Sequence, residues 1–220
     1  MKIETARKTN GVKPQVGKVE IKIKPPNFMA LRSKLTGTAP LVINKFSQKA
    51  REQIKATQEA GRQAKSKKVR EPKDFEAIYQ GAFYVAKEGW YGLPAAGFRN
   101  AMITACVLSD FFKSRAKLAI FIEADGFDRD DGMPLVKVKG TPHKHECYGR
   151  NSDGSVDIRV RPMWDEWTVD LTVKFDGDMF SIEDITNLLM RAGAQVGYGE
   201  GRPASKNSNG LGWGTWKINQ

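Results

Sequence analysis

Trp167-Thr168-Val169-Asp170-Leu171-Thr172-Val173-Lys174-Phe175 alternates apolar and polar side chains, and Ser181-Ile182-Glu183-Asp184-Ile185-Thr186-Asn187-Leu188-Leu189 follows with a different period. In the first stretch residues two apart share a face, so Trp167, Val169, Leu171, Val173 and Phe175 line one side of a strand, opposite Asp170 and Lys174. The second is a helix opened by Ser181, with Asp184 at the partner position of a capping box and Ile182, Ile185, Leu188 and Leu189 at helical spacing. It ends near Gly193. Beyond it, Gly197-Tyr198-Gly199-Glu200-Gly201-Arg202-Pro203 begins a loop in which Gly210, Gly212 and Gly214 recur, leading into Lys217-Ile218 as a closing strand. Strand, helix, glycine loop, strand is the order on which the fold assignment turns.

Upstream, Val156, Ile158 and Val160 alternate with charged residues, and the spacing predicts a hairpin through 162–166 into the Trp167 strand. Short strands are predicted over 118–124 and around Leu135, Val136 and Val138, with Asp125, Asp128, Asp130 and Asp131 in an acidic turn between them. A long helix is expected over 95–112, apolar on most sides and started by Pro94, and a shorter one over 74–84, with 90–94 as the break between them. Val19, Ile21 and Ile23 predict the first strand, before Pro25-Pro26; residues 28–35 extend it or pair with it. A turn over 37–40 precedes Leu41-Val42-Ile43. Clustered strands favour an α+β fold over a doubly wound sheet. The organisation expected is a flexible arm over 1–17 and a single domain over 18–220 with a basic insertion at 45–73.

Charge is segregated. Residues 1–73 hold 19 Lys+Arg and 5 Asp+Glu, a balance of +14, and the remaining 17 and 20 leave −3 for residues 74–220. A lopsided field of this kind attracts polyanions, nucleic acid first. Lys45 opens the insertion, and Lys49, Arg51 and Lys55 lie on a helix-permissive stretch, 47–60, too thin in apolar residues to be held by a core. Arg62, Lys65, Lys67, Lys68, Arg70 and Lys73 follow in a segment too poor in apolar side chains to fold unaided. Such side chains neutralise phosphates irrespective of base sequence.

Arg202 and Lys206 extend the candidate interface into the glycine loop, whose backbone amides can approach phosphate. Trp90, Tyr91, Tyr198, Trp213 and Trp216 sit beside chain breakers and are candidates for stacking on unpaired bases, with Trp90, Tyr91 and Trp213 retained as interface residues. Aromatic rings are more often core than platform, and one or two are expected to serve. His143, His145 and Cys147 lack a fourth ligand at zinc spacing, and the aspartates of 125–131 lack the closing Glu of a calcium loop, so no metal and no cofactor is assigned. Catalysis finds no nucleophile with a paired base. No run of eighteen apolar residues and no apolar leader stretch occur, Cys106 and Cys147 do not form a disulfide framework, and a cytoplasmic protein with no membrane partner is expected.

The closing helix, glycine loop and strand resemble the ferredoxin-like module of RAMP-superfamily proteins, with Gly197, Gly199, Gly201, Gly210, Gly212 and Gly214 carrying the likeness. The basic insertion resembles the finger-like insertions of backbone subunits in CRISPR effector complexes, and 41–50 with 197–203 resemble uncharacterised proteins of tailed phages. These resemblances imply a ferredoxin-like, RRM-like antiparallel sheet with helices on one face, a basic insertion that is helical or disordered, and, for a phage protein, the host cytoplasm. Together with the segregated charge and the candidate stacking rings, the function expected is non-catalytic binding of nucleic acid, single-stranded RNA or DNA favoured, by a homo-oligomer or a head-to-tail filament in which the −3 segment of one copy meets the +14 segment of the next. A metal-dependent nuclease using Asp125–Asp131 and a phage structural or assembly protein are the alternatives.

Overall fold

The computed structural model describes residues 23–46, 48–59, 72–150, 154, 156–205 and 211–219. Its first half runs β1 (Phe28–Gly37), β2 (Leu41–Val42), α1 (Gln48–Glu59), α2 (Phe75–Gly81), β3 (Tyr84–Val85), β4 (Tyr91–Pro94), α3 (Ala95–Ala105), α4 (Lys113–Ala119) and β5 (Ile120–Ile122). The second half adds β6 (Gly126–Phe127), β7 (Pro134–Lys139), β8 (His143–Arg150), β9 (Val156–Trp164), β10 (Thr168–Asp176), α5 (Ile182–Arg191) and β11 (Trp216–Ile218). Helices and antiparallel sheets are mixed, an α+β architecture. Among the described residues no helix is long and apolar enough to cross a membrane.

β10 is central. It pairs antiparallel with β1 over its full length, from Phe28↔Asp176 to Thr36↔Thr168. Its other edge is shared: β5 takes Val173 to Phe175, and β7 takes Thr168 and Val169. β11 pairs antiparallel with β1 at Leu35–Gly37. The order β11-β1-β10-β5 therefore holds two strand-helix-strand units, β1-α3-β5 and β10-α5-β11, each bridging across a strand of the other. β7, β4 and β3 continue the sheet, and β2-β9-β8 form a second one.

Val169, Leu171, Val173 and Phe175 are fully buried beneath α3 and α5. Each such side chain stabilises by about 1.5–3 kcal/mol, more than the ~1 kcal/mol span of strand propensity, so burial decides which face turns inward. A slip of one residue would put Asp170 and Lys174 in the core, which pins the register. The capping box forms as expected: Ser181 Oγ accepts from the Asp184 N–H at 3.0 Å, and Asp184 Oδ2 accepts from the Ser181 N–H at 2.9 Å.

Four expectations change. β9 and β10 do not form a hairpin, since β9 belongs to the smaller sheet and the chain crosses between sheets at 165–167. Trp164 and Trp167 bury at that corner, where Trp167 Nε1 donates to the Ala39 carbonyl at 2.9 Å. The helix expected over 95–112 stops at Ala105, passes through a 3₁₀ turn over Cys106–Ser109 and ends at Asp110, whose φ of 54° is left-handed. α4 then occupies the approach to β5, where a strand from 118 was expected. Residues 91–94, expected to break the chain, form β4 because pairing with β3 and β7 outweighs the local Gly and Pro signals.

Ile23 is exposed and outside any strand; the arm at 1–17, the remainder of the first predicted strand, and residues 60–71 of the insertion lie outside the described residues.

Candidate nucleic-acid interface

Alternation in β1 and β10 turns Ala30, Arg32 and Lys34 to the side away from α3 and α5, facing Lys174, Thr172 and Asp170 across the ladder. Lys217 of β11 lies opposite Thr36 on the same side, and Phe121 of β5 lies opposite Lys174. Lys139 and, two residues back, Lys137 extend the row along β7. Ala30, Arg32, Lys34, Lys137, Lys139 and Lys217 are exposed on this face. Arg32, Lys34, Lys137, Lys139, Lys174 and Lys217 here outnumber Glu123, Asp125, Asp170 and Asp176.

Aromatic rings are interleaved with these cations. Phe28, 43% exposed, meets Phe121 edge-on at 5.7 Å between centroids. Lys174 Nζ stands 4.7 Å from the Phe28 centroid and the Arg99 guanidinium 5.4 Å from that of Phe121. Arg99 is fixed by donating to the Ile120 carbonyl at 2.8 Å and to that of Lys117. Toward β7, Lys139 Nζ bonds Asp170 Oδ2 at 2.7 Å. That hydrogen bond, helped by Arg32 and Lys34, holds the Asp170 carboxyl below its ordinary range. Cations and exposed rings on one rigid sheet are the two ingredients of single-strand recognition, charge for phosphates and π-faces for bases.

The residues expected from sequence are distributed differently. Lys45 is only 5% exposed and clamped by Asp128 and Asp130 at 2.7 and 2.6 Å, so it is withdrawn from any phosphate at the surface. Burial opposes its charge, but its hydrogen bonds to Asp128 and Asp130 outweigh that, and its pKa is raised. Arg51 on α1 pairs with Asp131 at 2.8 Å, Lys55 is exposed beside Glu59, Lys73 pairs with Asp157, and Lys49 also lies on α1. Arg62, Lys65, Lys67, Lys68, Arg70, Lys206 and Gly210 lie outside the described residues. Asp128 Oδ1 also accepts from the Asp130 and Asp131 amides, so the acidic turn is built around its own backbone and the ion pairs to Lys45 and Arg51.

The glycine loop faces inward. The amides of Tyr198, Glu200 and Gly214 donate to the carbonyls of Gly214, Val42 and Pro40 at 2.9, 2.8 and 2.7 Å, threading the loop between β2 and β11. Tyr198 is buried against Phe98, donates to the Pro94 carbonyl at 3.0 Å, and has its pKa pushed well up by burial. Arg202 donates to the Gly199 carbonyl at 2.9 Å beside a cleft of about 260 Å³ lined by Asn100 and Thr104. Glu200 pairs with Arg161 at 2.9 Å. Trp216 is buried, Trp213 packs edge-on against His145 at 5.5 Å, and Tyr91 stacks on Phe83 at 4.5 Å. Of the aromatic candidates, Trp90 reaches the open face, where it lines a cavity with Arg32 and Lys137.

Sequence reasoning missed Arg32, Lys34, Lys174, Lys217, Phe28 and Phe121. Their signal was the alternation itself, which marks an outward row on each strand; which rows lie side by side depends on pairing partners 140 or so positions apart in sequence. No protein family and no curated protein matches this chain by sequence.

Proposed function

We propose that this chain is a non-catalytic protein that binds single-stranded nucleic acid, RNA or DNA, on the open sheet face of a ferredoxin-like core. The order β11-β1-β10-β5 with its two bridging helices supports the ferredoxin-like assignment, and a glycine loop ahead of β11 is what kinship with RAMP-superfamily proteins implies. The observation that carries the functional reading is a sheet face, exposed among the described residues, on which Lys174 stands over Phe28 and Arg99 over Phe121 while Arg32, Lys34 and Lys217 continue the row of cations along β1 and β11. The basic insertion adds a second, sequence-independent grip on phosphates. A nuclease reading draws no support from the acidic turn, because Asp128, Asp130 and Asp131 are engaged by Lys45 and Arg51. Head-to-tail assembly through the +14 and −3 segments belongs to the same reading.

Salt-dependent titration with single-stranded DNA, single-stranded RNA and duplex tests it. Changing Lys34, Lys174 and Lys217 to Ala should weaken single-strand binding and lower the slope of log K against log [salt] by about one for each phosphate no longer neutralised. Changing Lys65, Lys67, Lys68 and Arg70 to Ala measures the insertion separately. Unchanged affinity and slope in both variants would remove the proposal. Light scattering with and without oligonucleotide reads the assembly.

A further inference from the structure

One corner of the open face is a shaped cavity of about 320 Å³, lined by Arg32, Trp90, Asp125, Lys137, Lys139 and Asp170. Its floor is built for an indole. A Cβ on Gly92 would come within 2.9 Å of Trp90 Cζ3, and one on Gly126 within 2.7 Å of Trp90 Cζ2, so the Trp90 ring lies down on two strands that carry no side chain there. The half-buried ring keeps surface toward the cavity, with Lys137 Nζ 5.9 Å from its centroid. Asp125 is oriented from behind: its N–H donates to the Leu135 carbonyl at 2.8 Å, and its Oδ2 accepts the Lys137 N–H at 2.8 Å. Among the described residues its Oδ1 has no partner.

We infer that this cavity is a base-selective nucleotide site that takes one residue of a single strand whose base carries an exocyclic amino group. The inference rests on the single-strand reading above and deepens it. A purely electrostatic groove has no use for a carboxylate fixed in its wall, since a carboxylate repels phosphate. Beside a flat aromatic platform, however, a fixed acceptor reads hydrogen-bond donors on a base edge. Cytosine, adenine and guanine offer an amino group; thymine and uracil carry none, and their one ring donor, N3–H, is flanked by two carbonyl oxygens whose lone pairs oppose the Asp125 carboxylate. Arg32 stands on the same wall for the adjoining phosphate, Lys139 being held by Asp170, and a volume at the small end of ligand sites suits one nucleotide.

The test compares dodecamers dC12, dA12, dT12, rC12 and rU12 at one salt concentration against wild type, Asp125→Asn and Trp90→Ala. Wild type should bind the C and A strands about tenfold more tightly than the T and U strands. In Asp125→Asn the amide oxygen can take the Lys137 N–H, turning an NH2 donor to the cavity. The preference should vanish or reverse while dT12 affinity holds or rises. Trp90→Ala should weaken every strand with an unchanged salt slope, and Trp90→Phe should restore part of the loss. Equal wild-type affinity for C and T strands, with steep salt dependence retained, would overturn the pocket and leave the nucleic-acid reading standing; no salt-dependent binding of any strand would overturn both.

Discussion

Lys45 shows how far one side chain can depart from what its charge suggests. In sequence it heads a run of cations; in the folded chain it reaches into a site where Asp128 is fully buried, and the Tyr84 ring lies 5.6 Å from its ammonium. A buried charge left without its partner is destabilised far more than the intact pair stabilises. Lys45→Met should therefore lower stability by about 3–5 kcal/mol in chemical denaturation, and adding Asp128→Leu should recover part of the loss. The same network sets an acid limb. The hydrogen bond from Lys45 lowers the Asp130 pKa; for Asp131 burial acts upward, yet the hydrogen bonds from Arg51 and the Met133 amide, with the charges of Arg51 and Lys45, together outweigh it and the net direction is down. A depressed carboxyl stabilises fully above its unfolded value, about pH 3.9, and progressively less as pH falls through its folded value. The urea midpoint should fall between pH 5 and pH 3, and Asp130→Asn should flatten part of that fall. An acid limb unchanged by the substitution would assign it to other groups.

At the scale of elements, the glycine loop separates two roles that look alike in sequence. Gly212 and Gly214 both have left-handed φ, 69° and 67°. A Cβ on Gly212 meets nothing within 4 Å, whereas one on Gly214 would sit inside the Tyr198 carbonyl. Gly212→Ala should thus lose only the backbone penalty, about 1–2 kcal/mol, and Gly214→Ala considerably more, because the loop must part from Tyr198 as well. Equal losses in denaturation midpoints would show that the loop yields freely there. Elements whose identity is set locally were legible: β10 from alternation, α5 from Ser181 and its apolar stripe, β11 as the closing strand. Those decided by distant partners were not. β4 contains Gly92 and Pro94 and pairs as a strand only because β7 lies beside it, and α3 stops where Val107 and Leu108 emerge half-exposed rather than where apolar residues run out.

For the whole molecule, the crossing from β9 to β10 ties the smaller sheet to the larger one. Trp164 and Trp167 belong to the same buried cluster as Val169, Leu171, Phe98 and Leu189, so the sheets share a core. Unfolding should be one cooperative transition, with tryptophan fluorescence and far-ultraviolet dichroism coinciding. Two separated transitions would mean the β2-β9-β8 sheet melts independently.

The sequence by itself determined the α+β class, the closing strand-helix-loop-strand, the segregation of charge and the inward and outward rows of each strand, because periodicity, capping and composition act within a few residues. Only the tertiary structure decided that β9 leaves β10 for another sheet, that Lys45 is clamped inside, and that Phe28, Phe121, Trp90 and the cations of β1, β7 and β10 share one open face. Which strands pair, and which carboxylate meets which ammonium, is settled by burying the most apolar surface at once, a balance struck over the whole chain rather than within any window of it.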